Sequence, residues 1–221
     1  LTASTAGSKG GRIFIELKNV NKVLSGRQLL SQVNCEIEAG QIAVFEGING
    51  SGKTLILKTI LGLMKVDGEV LVAGKQVKPQ DAYPIKAGIL IENPSLITDF
   101  TATQNMELLA KLDEHISATE IAELLKYFDL SRFPNEKVKK FSLGMKQKLG
   151  IAEAFLGSYP LIVLDEPTNA LDSDSIDKLV DLIKLRQSKG CTFVIASHDR
   201  DFVNQVATRR FKVEEGVVHE A

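Results

Sequence analysis

The chain has 221 residues, of which 44% are hydrophobic and 25% charged, and its 27 Lys and Arg nearly balance 28 Asp and Glu for a net charge of -1. That length suffices for one domain with an added lobe and a sizeable core, whereas the charge balance lacks the basic excess that marks a nucleic-acid binder, so no nucleic-acid partner is expected. No apolar run reaches the roughly 18 residues of a membrane span, so any work at a membrane needs another chain to cross it, and a cytosolic location is expected. The lysines at 137, 139, 140, 146 and 148 read as a solvated face. Cys35 and Cys191 sit in strand-like apolar stretches and read as small buried hydrophobes, while His115, His198 and His219 show no metal-ligand spacing.

The first 11 residues, LTASTAGSKGG, are small and polar and are expected to form a disordered leader to a single domain over 12–221. Strands are expected at Ile13–Leu17, at Gln32–Ile37 before the Ala39-Gly40 turn, and at the compact apolar run Ile42–Phe45. Lys53–Met64 carries Leu55, Leu57, Ile60, Leu61 and Met64 near helical spacing. Gly68–Val72 and Gly74–Val77 suggest a hairpin, and Gly88–Ile91 a buried strand. After Pro94 the pattern turns helical, over Ala102–Leu112 and Thr119–Phe128, the latter opened by the capping-box spacing of Ser117 and Glu120. Strands return at Leu161–Leu164 and Thr192–Ala196, with the helix Ser175–Lys189 between them. This β–α–β alternation predicts a parallel α/β sheet. A helical lobe over 93–155 divides it into a β lobe and core over 12–92 and further core over 156–221.

Between the third strand and the first helix lies Gly47-Ile48-Asn49-Gly50-Ser51-Gly52-Lys53-Thr54, which fits G-x-x-x-x-G-K-[ST]. Glycines let successive backbone N–H groups curl around phosphate oxygens, and the following helix aims its positive end at the same anion. Lys53 is expected to reach the outer phosphates of the ligand, and Thr54 to place its hydroxyl on Mg²⁺. The strand Leu161–Leu164 ends in Asp165 and Glu166. Ligands of such sheets bind at the carboxyl ends of strands, and adjacent strand residues face opposite ways. The two carboxylates can therefore divide the work, Asp165 holding Mg²⁺ and Glu166 polarising the attacking water.

With Phe141-Ser142-Leu143-Gly144-Met145 and Leu164-Asp165-Glu166-Pro167-Thr168-Asn169-Ala170-Leu171-Asp172 added, nearly the whole chain after residue 11 resembles an ABC transporter ATPase subunit. The resemblance implies a RecA-like P-loop core, an antiparallel β lobe and an inserted helical lobe. It implies a head-to-tail homodimer, or a heterodimer with a second ATPase subunit, holding two ATP molecules, and an integral-membrane permease that places the chain on the cytoplasmic face of the membrane. By the same resemblance Ser142 and Gly144, opening a helix that runs through Ala154, cap the ATP of the opposite subunit. Asp172 matches the family's D-loop aspartate, and His198 matches the switch histidine that senses γ-phosphate.

Three positions depart from the family pattern. The usual LSGGQ reads FSLGM, Glu92 stands where a glutamine is usual, and Val23 stands where an aromatic stacks on adenine. Glu92 is placed to touch Mg²⁺ or the attacking water, and to serve coupling to the permease. Ile91–Ala110 is similar to the bacitracin-resistance and lantibiotic-immunity branch of exporters, where glutamate at that loop is usual. Two other readings compete. A soluble ABC ATPase of chromosomes would insert a long coiled coil between Lys53 and Ser142, but only 142 − 53 = 89 positions separate them, and one acting on ribosomes would carry two such domains. A non-catalytic ATP-gated interaction module would not need Lys53, Asp165, Glu166 and His198 together.

Overall fold

The computed structural model describes residues 12–221, so the leader expected over 1–11 lies outside the described residues. The strands Ile13–Leu24 (β1) and Arg27–Glu38 (β2) form a long antiparallel hairpin. Its two-residue turn, Ser25-Gly26, has both φ angles positive (49° and 78°), as a tight hairpin with the native twist requires. Next come Ile42–Glu46 (β3), Lys53–Ile60 (α1), Asp67–Val72 (β4), Lys75–Gln76 (β5) and Ala87–Leu90 (β6). The helical stretch holds Ala102–Ala110 (α2), Ala118–Tyr127 (α3) and Leu143–Ala154 (α4), with short 3₁₀ turns at Leu130–Arg132 and Val138–Lys140. Leu161–Asp165 (β7), Ser173–Ser188 (α5), Thr192–Ser197 (β8), Arg200–Val206 (α6), Arg209–Glu214 (β9) and Val217–Glu220 (β10) complete the described chain.

One sheet is antiparallel, ordered β2-β1-β4-β5, and the other runs β10-β9-β3-β8-β7-β6, parallel except for the edge pair β9–β10. The parallel sheet is the one expected from the β–α–β pattern, and the whole is the P-loop α/β architecture that the resemblance implies.

The central parallel strands β3, β7 and β8 are buried on both faces, which explains why they read as unbroken apolar runs. Alternate residues nevertheless go to different cores. Ile42, Val44, Ile162, Leu164, Phe193 and Ile195 join the core beneath α4, α5, α6 and the helical stretch. Ala43, Phe45, Leu161, Val163, Val194 and Ala196 join the core that α1 shares with β1, β2 and β4. The helix carrying Lys53 is thereby clamped between the two sheets.

Local outcomes differ from the sequence pattern, beginning with β1 and β2, which run to Leu24 and start at Arg27. The first helix stops at Ile60 rather than Met64, because Gly62 takes a left-handed φ of 67° just beyond the Leu61 cap. Ser117 caps α3 through Glu120 N–H, but the Glu120 carboxylate turns away to accept from Gly157 N–H at 3.0 Å. The complete reciprocal capping box lies instead at Thr101 and Gln104 on α2. The helical stretch meets the sheet at one hard contact. A Cβ added to Gly88 on β6 would lie 1.8 Å from the carbonyl oxygen of Ala154, the last residue of α4, so only glycine allows this approach.

Candidate functional site

The parallel register lines up the carboxyl ends of four strands: Glu46 pairs with Ser197, Asp165 with Ala196, and Leu90 with Leu164. The loops leaving these ends carry Gly47–Thr54, Asp165 and Glu166, His198, and Glu92. The sheet thus brings together residues from Gly47 to His198.

The phosphate loop needs its glycines for specific reasons. Gly50 and Gly52 have φ of 81° and 112°, and Gly52 is the left-handed cap from which α1 starts. A Cβ on Gly47 would lie 2.4 Å from the Val213 carbonyl oxygen. With Asn49, Lys53, Thr54, Leu55 and Glu166, Gly50 and Gly52 line a depression of about 190 Å³. Lys53, only 5% exposed, folds back so that Nζ donates to the carbonyls of Gly47 (2.7 Å) and Ile48 (3.1 Å). Its Nζ also lies 3.0 Å from Glu166 Oε1, an ion-pair contact without hydrogen-bond alignment. Ser51 Oγ is buried in the loop without a partner. A buried hydroxyl left unpaired is costly, which is consistent with a ligand that supplies the partner.

The acidic pair divides as the strand geometry requires. Asp165, 4% exposed, accepts at Oδ2 from the Thr54 hydroxyl (2.8 Å) and the Glu92 backbone N–H (3.3 Å). Burial pushes its carboxyl above the usual range, and those two donors partly offset the rise. Its Oδ1 is buried with no partner. Such an oxygen beside a hydroxyl suits a hard cation. Among the described residues no group of three or more His, Cys, Asp or Glu could hold a metal alone. Mg²⁺ fits this donor set because it usually completes its shell with substrate phosphates and water. Glu166 turns the opposite way. Its backbone is left-handed (φ 46°), and Oε2 lies 2.7 Å from His198 Nδ1 and accepts from His198 N–H at 3.3 Å.

The other expected residues fall elsewhere. Glu92 brings its backbone N–H to Asp165, while its carboxylate pairs with Lys58 on α1 at 2.6 Å. Its backbone is left-handed there, with φ 58°. Val23 is 53% exposed on β1, two positions from the hairpin turn. Ser142 caps α4, its Oγ accepting from Met145 N–H, and a Cβ on Gly144 would lie 2.6 Å from the Ala170 carbonyl. Asp172 caps α5. The Ser175 hydroxyl and N–H, helped by Lys148 at 3.3 Å, hold its carboxyl down to about 2. Ser142, Gly144 and Asp172 thus form a second cluster with partners of its own, and Leu143 beside them is 69% exposed.

Sequence reasoning missed Lys58 and Gln147, and it placed Lys148 on a solvated face, whereas that side chain is 16% exposed and pairs with Asp172. The two lysines act only through distant partners. Gln147 had a local signal, as a polar residue four positions before Ile151 on the buried face of α4. A larger hollow of about 530 Å³ opens at the amino ends of β6 and β7, but it shares no residue with the phosphate loop, and its buried Asp113 is already paired with Lys86 at 2.8 Å. Cys35 and Cys191 are free, and burial pushes both thiols up to about 12, as expected of inert core residues.

Comparison with known proteins agrees with this geometry. The family model described as ABC transporter matches residues 30–169. The chain is 36% identical over 195 residues to the lantibiotic transport ATP-binding protein SrtF of Streptococcus pyogenes, covering 88% of this chain and 84% of that protein. It is 32% identical to the bacitracin transport ATP-binding protein BcrA of Enterococcus faecalis, covering 87% of this chain and 64% of that protein. The solved dimeric structure of a post-hydrolysis state of the ATP-binding cassette MJ0796, bound to ADP and Pi, superposes with a TM-score of 0.83 at 29% identity, covering 93% of this chain and 98% of that one. The chain belongs to the ABC transporter family.

Proposed function

We propose that this chain is the ATP-hydrolysing subunit of an exporter, acting at the cytoplasmic face of a membrane on a separate permease that moves an antimicrobial peptide or drug. One observation carries the reading: Lys53, Thr54, Asp165, Glu166 and His198 meet at the carboxyl ends of β3, β7 and β8, around a loop with an unpaired Ser51 hydroxyl. The names of SrtF and BcrA support lantibiotic or bacitracin-like cargo. A separate permease is in keeping with the absence, among the described residues, of any helix long and apolar enough to cross a membrane.

In the site the Lys53 charge lies against Glu166 and its own loop carbonyls. An incoming triphosphate competes for Lys53 with a denser negative charge and frees Oε1 of Glu166. Glu166, oriented by His198, then accepts a proton from water as the water oxygen bonds to the γ-phosphorus. The bond from that phosphorus to the β,γ-bridging oxygen breaks in line, leaving ADP and inorganic phosphate, and the proton passes from Glu166 to solvent. Thr54 and Asp165 would hold Mg²⁺, which supplies charge neutralisation for the phosphates when bound. Ser142 and Gly144 would close over the ATP of a second copy, and the free N–H groups at the start of α4 suit its γ-phosphate. Glu92, tied to α1 by Lys58 where the sheet hands over to the helical stretch, would report permease contact rather than hold the metal.

Phosphate release by the purified chain with Mg-ATP tests the reading. Turnover is expected, and Glu166→Gln is expected to stop it while ATP still binds. Unchanged turnover in that variant would remove Glu166 from its role.

A further inference from the structure

Gln147 is buried, 6% exposed, one turn into α4. Its Nε2 donates to the carbonyl oxygen of Pro167 at 3.2 Å and lies 3.4 Å from that of Glu166. Both partners are acceptors only, so the amide nitrogen, and not the amide oxygen, must face them.

The backbone it holds is a disfavoured one. Glu166 is a non-glycine residue at φ 46°, and it precedes a proline, which restricts it further toward extended conformations. Such a conformation persists only where its surroundings over-determine it. The supports are few. Glu166 N–H donates to Ala196 O at 2.9 Å, Asn169 N–H donates to Glu166 O at 3.2 Å, and Gln147 clamps the carbonyls on either side of the Glu166–Pro167 bond region. The left-handed turn is what swings the Glu166 carboxylate from the strand onto Lys53 and His198. The same helix touches the segment after β7 twice more, through Gly144 against the Ala170 carbonyl and Lys148 against Asp172.

We infer that Gln147 is a positioning residue for hydrolysis: its amide sets the turn that aims Glu166, and so ties turnover to the placement of α4. The inference rests on the reading of Glu166 as the group that polarises water. Because α4 also presents Ser142 at its amino end, one amide links the cap offered to a partner's nucleotide with the carboxylate serving the chain's own. A shift of α4 that stretches the Gln147 contacts lets the strained turn relax and withdraws Glu166.

The test is steady-state ATP hydrolysis by the full chain with Gln147→Met, which keeps the shape and removes both donors, and with Gln147→Glu. For Gln147→Met, kcat is expected to fall by about tenfold or more, while KM for ATP stays within about twofold, the split that marks an interaction needed only for the chemical step. Gln147→Glu supplies a readout that a merely structural role would not move. Its buried carboxyl donates when protonated and repels the two carbonyls when ionised. Its kcat relative to wild type is therefore expected to rise by roughly fivefold or more from pH 8 to pH 6, whereas that ratio for Gln147→Met stays flat. If Gln147→Met does not fold, the pH ratio of Gln147→Glu decides alone. A Gln147→Met kcat within about twofold of wild type, or a flat ratio for Gln147→Glu, overturns the inference. Glu166→Gln, run alongside, separates the two failures: if it stops turnover and the Gln147 variants do not, the positioning role falls and the reading of Glu166 stands; if it leaves turnover intact, both fall.

Discussion

Glu153 lies in the last turn of α4, next to the Ala154 carbonyl that meets Gly88, and burial pushes its carboxyl up to about 7 from an ordinary 4.5. A carboxyl whose folded value is raised holds its proton more tightly in the folded state than in the unfolded one. Its contribution is intact below about pH 4.5, is eroded as the pH climbs toward 7, and is gone above that. The gap of 7 − 4.5 = 2.5 units corresponds, at about 1.36 kcal/mol per unit, to a cost on the order of 3 kcal/mol at pH 8.5. At pH 5 the same relation leaves a cost under about 1 kcal/mol. Glu153→Gln keeps the shape and stays neutral at every pH. With about 2–4 °C of melting temperature per kcal/mol for a chain of this size, the substitution is expected to raise Tm by roughly 6–12 °C at pH 8.5 and by no more than about 3 °C at pH 5. Thermal melts followed by circular dichroism at the two pH values measure this. Equal shifts at both would mean that the Glu153 carboxyl is not forced to neutrality by burial, and would refute the reasoning.

Other expectations follow from single contacts. Gly88→Ala sets a Cβ 1.8 Å from a backbone oxygen that cannot turn aside, so β6 and α4 must part. The expected cost is about 1–3 kcal/mol or more, read as a lower Tm, and a variant melting with wild type would show that the contact yields easily. Val23 offers no ring to a purine, and a stacked aromatic is worth about 0.5–1.5 kcal/mol, so GTP is expected to compete with ATP within about tenfold and Val23→Tyr to tighten ATP in calorimetry. A strong ATP preference in the wild type would assign the stack to another side chain. Glu92→Ala, which breaks a partly exposed pair with Lys58, is expected to reduce transport or resistance in cells far more than basal ATPase of the isolated chain. Equal losses in both would place Glu92 in the hydrolytic site.

Much of the site was legible in the sequence because its chemistry is local. Gly47–Thr54 is contiguous, and Asp165 and Glu166 end an apolar run, so spacing alone announces both. The central strands were legible for a related reason: burial on both faces leaves no polar residue to interrupt them. What escaped depends on partners far along the chain. Lys58 meets Glu92 across 34 positions, and Glu92 takes a left-handed φ that no composition announces in a non-glycine residue. The short helix Arg200–Val206, the strand Arg209–Glu214 and the edge strand Val217–Glu220 are too short to give a clear periodic signal. Ser142, Gly144 and Asp172 are set at helix starts by capping, and their proposed work needs a second copy of the chain.

That second copy is where the account is most exposed. If the phosphate loop and the Ser142 cap belong to one composite site, ATP that is bound and not hydrolysed must hold two chains together. Light scattering on sized Glu166→Gln with saturating Mg-ATP measures this directly. The account predicts that the mass doubles with Mg-ATP and returns to that of one chain when Ser142→Arg is added to the same protein. A single-chain mass at full ATP occupancy, or a dimer indifferent to both ATP and Ser142, would contradict it.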